Sequence, residues 1–153
     1  MFPSTVTRVE RNTSERVNNA IQARMKRSIA YYAENPDEIA ERLDELDHEW
    51  DIERTLEANA ATISLAGIGL GALVDKRWLV LPFAVSGFLL QHALQRWCPP
   101  VVLFRHRGVR TASEINHERY ALKALRGDFD NIEMAGEIGA RERVENVLLH
   151  VKT

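Results

Sequence analysis

The chain has 153 residues, enough for one domain or for one membrane unit with a helical appendage. Twenty basic residues against 22 acidic ones leave a net charge of −2, so no overall basic field points to nucleic acid. The single cysteine, Cys98, excludes an intrachain disulfide, and Met1–Val6 runs into Arg, Glu and Asn without the apolar core of a signal peptide.

Residues 1–13 read as a polar leader. Asn12 or Thr13 can cap a helix whose apolar positions are Val17, Ile21, Met25 and Ile29. Asn35-Pro36-Asp37 ends that helix and opens the next, with Asn35 as cap and Pro36 at the first helical position. Ile39, Leu43, Leu46 and Trp50 then form one narrow seam on an otherwise acidic helix. No Pro or Gly interrupts from Asp37 to Ala66, which predicts one long helix running from water into a membrane.

The apolar residues concentrate between Ala58 and Gln95. Two uncharged segments, Ala58–Val74 and Trp78–Gln95, are separated by Asp75, Lys76 and Arg77. They hold 17 and 18 residues, at the short end of the roughly 17–25 that span a bilayer. Ala60, Ser64, Gly67 and Gly71 fall along one side of the first segment, and Gly67-x-x-x-Gly71 is a pattern that lets membrane helices approach closely. Trp78 and Trp97 lie 19 residues apart, about 28 Å along a helix. That separation suits an aromatic belt at each membrane face. Five arginines (54, 96, 105, 107, 110) flank one end of the pair and Lys76 and Arg77 the other. The positive-inside rule then places both termini in the cytoplasm.

Trp97-Cys98-Pro99-Pro100 ends the second apolar helix. The apolar run to Phe104 is too short to span, so it is expected in the interface, with Arg105, Arg107 and Arg110 near anionic headgroups. Thr111-Ala-Ser-Glu114 is a capping box that opens a helix to about Arg126, with Gly127 as its stop. A last amphipathic helix is predicted at about Glu137–Val151.

The Trp97-Cys98-Pro99-Pro100 step after a short apolar pair resembles the YgaP-like family of small bacterial inner-membrane domains of unknown function. The stretch Gly108–Ile115 through Glu118–Phe129 looks like the tail of longer members, so the resemblance covers roughly Trp50 to Phe129. It implies an integral membrane protein whose helical pair can associate with another copy. It implies no defined reaction. Some relatives carry a rhodanese domain, for which this chain has no room.

Three groups of residues invite chemistry. Cys98 lies near Arg96 and His92 at the end of a helix, whose dipole disfavours a thiolate, so a packed thiol is expected over a nucleophile. Glu45-x-x-His48 and Glu114-x-x-His117 have di-iron spacing, but both histidines fall off the apolar faces and read as solvated surface. His92, with Gln91 and Gln95, ends the second segment, where Asn59 and Ser64 of the first could reach it.

The expected architecture is all-α. A cytoplasmic N-terminal helical hairpin (1–57) leads into a two-helix transmembrane hairpin (58–97). An interfacial segment (98–110) and cytoplasmic C-terminal amphipathic helices (111–153) follow. The expected function is self-association or partner scaffolding at the inner membrane, through the Gly67/Gly71 face. The partners would be the lipid bilayer and either a second copy or another membrane protein, with no nucleic acid, metal or cofactor. The alternative is a soluble all-α interaction module with the central hairpin as its buried core.

Overall fold

A computed structural model describes residues 8–95 and 98–129. Every regular element among them is helical: α1 (Arg8–Arg11), α2 (Glu15–Glu34), α3 (Ile39–His48), α4 (Ile52–Leu73), α5 (Val80–Gln95), α6 (Pro99–His106) and α7 (Ala112–Arg126). Trp97, Arg96 and the helix expected near 137–151 lie outside the described residues. The chain divides into two compact units that interleave along it. One comprises Met1–Arg24 and Glu49–Ile115, the other Met25–His48 and Asn116–Thr153.

In the first unit, Val9, Ile52, Leu56, Cys98 and Val101 form a buried cluster, flanked by Leu89, Phe104 and Val109. The helix expected to run unbroken through residue 66 stops at His48 and restarts at Ile52. Asp51 is extended there and its carboxylate accepts the Arg54 N–H at 2.8 Å, an N-cap. The freed Ile52 N–H donates to the Arg110 carbonyl at 2.9 Å. Trp50 therefore leaves the seam. It is half exposed, and the Arg54 guanidinium lies 4.5 Å over its ring.

The segments around Asp75 close tightly. The Asp75 carboxylate accepts the Arg77 N–H at 2.8 Å and starts a 3-10 turn, Lys76–Leu79, that feeds α5. Pro82 is the third residue of α5, where its missing N–H breaks no internal bond. α4 packs on this turn and on α5 through its small residues. Ala60, Gly67 and Gly71 are buried and Ser64 half-buried. A Cβ at Gly67 would stand 2.6 Å from Pro82 Cδ, 3.1 Å from Leu81 Cβ and 3.3 Å from the Trp78 carbonyl oxygen. At Gly71 it would meet Leu79 Cδ2 at 2.6 Å.

The two prolines after Cys98 begin a helix instead of only ending one. Cys98 is the extended N-cap residue, and Pro99 and Pro100 take the first two positions of α6. Gly108, at φ +85°, turns the chain out of α6. The capping box at α7 has the expected form. Glu114 accepts the Thr111 N–H at 2.8 Å, and the Thr111 hydroxyl accepts the Glu114 N–H at 3.2 Å.

The second unit buries Met25, Ile39, Leu43, Leu46 and Leu122. Glu118, almost fully buried, ties three helices together. It accepts from Ser28 Oγ of α2 at 2.6 Å and from Arg42 Nε and Nη2 of α3 at 3.1 and 3.0 Å. Arg119 donates to the Leu46 carbonyl at 3.0 Å, satisfying one of the open carbonyls at the end of α3. Asn35 does not cap the following helix as expected. Its amide donates back to the Tyr31 carbonyl at 2.8 Å and closes α2. Gly127, at φ +86°, follows the last residue of α7.

Candidate functional site

The residues singled out from sequence fall at three places in the first unit. Asn59 lies on α4, His92 in the last turn of α5 and Cys98 at the start of α6. Asn59 is not the partner of His92. Its amide donates to the Thr55 carbonyl at 2.8 Å, within its own helix. His92, 7% exposed, instead pairs with Glu53 from the first turn of α4, Nε2 to Oε2 at 2.8 Å. Its other ring nitrogen, Nδ1, is 3.7 Å from Cys98 Sγ. A carboxylate at Nε2 holds the hydrogen there, so Nδ1 faces the thiol as an acceptor. The sequence carried a weak signal for Glu53: it is an acidic residue five before the uncharged segment, level with His92 once the two helices lie side by side.

This carboxylate–imidazole–thiol chain has the connectivity of a nucleophilic triad, but the thiol's surroundings oppose reaction. Cys98 is fully buried. Burial pushes its pKa up, outweighing the lowering by the Val101 N–H, and the Glu53 carboxylate adds a little to the rise. The arrangement is a hydrogen-bonded closure of the open end of the α4–α5 pair. Native protein should therefore react with iodoacetamide at pH 7.5 at least about tenfold more slowly than protein unfolded in denaturant. Mass spectrometry of the alkylated chain measures this directly, since Cys98 is the single cysteine.

The arginines expected at headgroups have different placements. Arg105 is fully buried. Nη1 and Nη2 engage Glu114 in a two-pronged pair at 2.6 and 2.8 Å. The same guanidinium donates to the Val109 carbonyl at 3.1 Å, Asn18 Oδ1 at 3.0 Å and Thr13 Oγ1 at 3.3 Å. All five guanidinium donors thus have acceptors. Burial would raise the pKa of Glu114, but the Arg105 hydrogen bonds, the Thr111 N–H and the Arg105 charge together hold it below the usual carboxylate range. Arg110 is turned inward as well, with Nε 2.8 Å from Glu49 Oε1. Arg107 alone of the three is exposed, and its side chain has no hydrogen-bond or ion-pair partner among the described residues. Trp78, at the turn, is 43% exposed.

A cavity of about 500 Å³ lies between α4, α5 and α6. Its wall is almost wholly apolar, with Leu56, Ile63, Phe88 and Leu103 prominent, and Asn59 and Arg107 as its charged or amide side chains. The di-iron spacings do not assemble. Glu45 pairs with Arg42 at 2.7 Å, the His48 ring meets the Asp44 carbonyl at 2.8 Å, and Glu114 is held by Arg105. No group of three or more metal-capable side chains occurs among the described residues. Compared with known proteins, the chain matches no family model, no curated protein and no solved structure.

Proposed function

We propose that this chain is an integral membrane protein in which α4, the Asp75 turn and α5 form a hairpin through the bilayer. On this reading the other described helices stay outside the hydrocarbon core. One observation carries it: only 6% of the most apolar stretch within Lys76–Gln95, the 3-10 turn and α5 together, is buried within the molecule. Leu73 and Phe83 are each more than four-fifths exposed, and Leu65, Val80, Leu90 and Leu94 are more than half exposed. A core helix of a water-soluble domain buries such side chains, and a monomer in water rarely keeps so large a continuous apolar patch.

The termini lie on the cytoplasmic side, because basic residues near the membrane ends favour that end and acidic partners of Arg105 and Arg110 weigh little in the rule. A bacterial inner membrane fits the resemblance to YgaP-like domains. The biochemical role is scaffolding or self-association. It uses the outward faces of the hairpin, since Gly67 and Gly71 are filled by the chain's own Pro82 and Leu79.

Alkaline carbonate washing of membranes containing the full chain tests this reading. The protein is expected to stay in the pellet and to enter solution only with detergent. Recovery in the carbonate supernatant, or as a stable oligomer in detergent-free lysate, would overturn it in favour of a soluble module with its apolar faces against a second copy.

A further inference from the structure

We infer that the cavity between α4, α5 and α6 holds one acyl chain of an anionic phospholipid, with Arg107 pairing with its phosphate. The inference rests on the membrane reading above. The cavity's volume, about 500 Å³, falls in the range of roughly 300–1,000 Å³ typical of ligand sites. Leu56, Ala60 and Ile63 of α4 face Val85, Phe88 and Leu89 of α5 across it. Leu56, Ala60 and Leu89 lie toward the helix ends remote from the Asp75 turn, the ends that reach the cytoplasmic headgroup level on the proposed topology, and Ile63, Val85 and Phe88 lie near mid-helix.

Chemistry selects the occupant. The lining is methyl, methylene and aromatic carbon, which takes hydrocarbon and rejects polar solutes. Arg107 supplies the single cationic side chain of the wall among the described residues. Its neighbours Arg105 and Arg110 are bound to Glu114 and Glu49, whereas Arg107 keeps its guanidinium free of protein partners among the described residues. A planar fork of donors beside a hydrocarbon slot matches a phosphodiester attached to an acyl chain. A zwitterionic lipid offers the same chain but returns a positive charge near the guanidinium, so the site discriminates by headgroup.

Purified full-length protein is incubated in detergent with equal amounts of phosphatidylglycerol and phosphatidylcholine, and retained lipid is measured by native mass spectrometry. The wild type is expected to carry one phosphatidylglycerol, retained about fivefold over phosphatidylcholine. Arg107→Gln, at an exposed position, should keep the fold and lose that preference. Leu103→Trp, on the half-exposed wall of α6, should fill the slot and remove both adducts. Equal retention of the two lipids by wild type, an unchanged preference in Arg107→Gln, or replacement by a free fatty acid would overturn the inference. Carbonate washing of the same preparation separates the two readings. A pelleted protein without a selective adduct loses only the lipid site, while a protein released by carbonate loses the membrane reading and the lipid site with it.

Discussion

Replacing Arg105 with methionine should destabilise the first unit by about 3–5 kcal/mol, because it leaves the Glu114 carboxylate buried without its counter-charge. Glu114→Leu should cost about as much for the converse reason. The double variant Arg105→Met/Glu114→Leu is expected to recover most of the loss, since two apolar side chains of similar length can share the same space. Denaturant unfolding of the four proteins in one detergent measures the coupling. Additive losses would show that Arg105 acts through Thr13, Asn18 and Val109 instead of through Glu114.

The same pair predicts a pH dependence. Glu114 has a lower pKa folded than unfolded, so its contribution is fully present above the unfolded carboxylate range, near pH 4.3. It is lost as pH falls through the depressed folded value. The wild-type unfolding midpoint should drop on acidification through this region. Arg105→Met should lack this acid sensitivity and close part of its gap to wild type on acidification, because protonating its buried Glu114 removes the charge left without a partner.

The second large effect concerns the glycines of α4. Gly67→Ala should destabilise the α4–α5 pair by about 1–3 kcal/mol, the usual cost of overpacking. The new methyl group would meet the Pro82 ring at 2.6 Å, and a proline held in a helix's first turn cannot swing aside. Gly71→Ala should cost less. The atoms in its way belong to the Leu79 side chain, which can change rotamer. Gly69→Ala meets nothing within 4 Å and should be neutral or stabilising by up to about 1 kcal/mol, the helix-propensity difference. Thermal unfolding in detergent ranks the three. An order in which Gly69→Ala is the most damaging would place the close contact on the other side of α4.

Much of the helical plan was legible because it rests on interactions within four residues. The capping box at Thr111–Glu114 and the stop at Gly127 are short patterns with a single structural meaning, and the small-residue side of α4 marks a close approach. Ile39, Leu43 and Leu46 are buried as their spacing predicts. The break at Glu49–Asp51 was missed although Asp51 is a good N-cap residue. Without Pro or Gly nothing local forces a stop, and the acceptor for the Ile52 N–H is the Arg110 carbonyl, far along the chain.

The candidate site was less legible still, because its decisive partners are distant in sequence. Arg105 among basic neighbours reads like any headgroup arginine. Its burial follows only when Glu114, Asn18 and Thr13 converge on it from α7 and from the turn before and first residues of α2. His92 carried only a weak mark of its pairing with Glu53, 39 residues earlier, because the match appears only once α4 and α5 lie side by side. The glycine spacing showed that something must come close, but a spacing is equally suited to a neighbour in the same chain or in another.

The sequence by itself determined that the chain is helical, where two long apolar helices lie and which side of α4 must accept a close neighbour. Those properties come from side-chain periodicity and local backbone chemistry, which act before any fold exists. Only the tertiary structure decided that Pro82 and Leu79 fill the glycine side, that Arg105 and Arg110 turn inward, and that Arg107 is left beside an apolar cavity. Each of those outcomes depends on which charge or ring arrives at a given point in space, and a desolvated arginine takes whichever carboxylate the packing brings within reach.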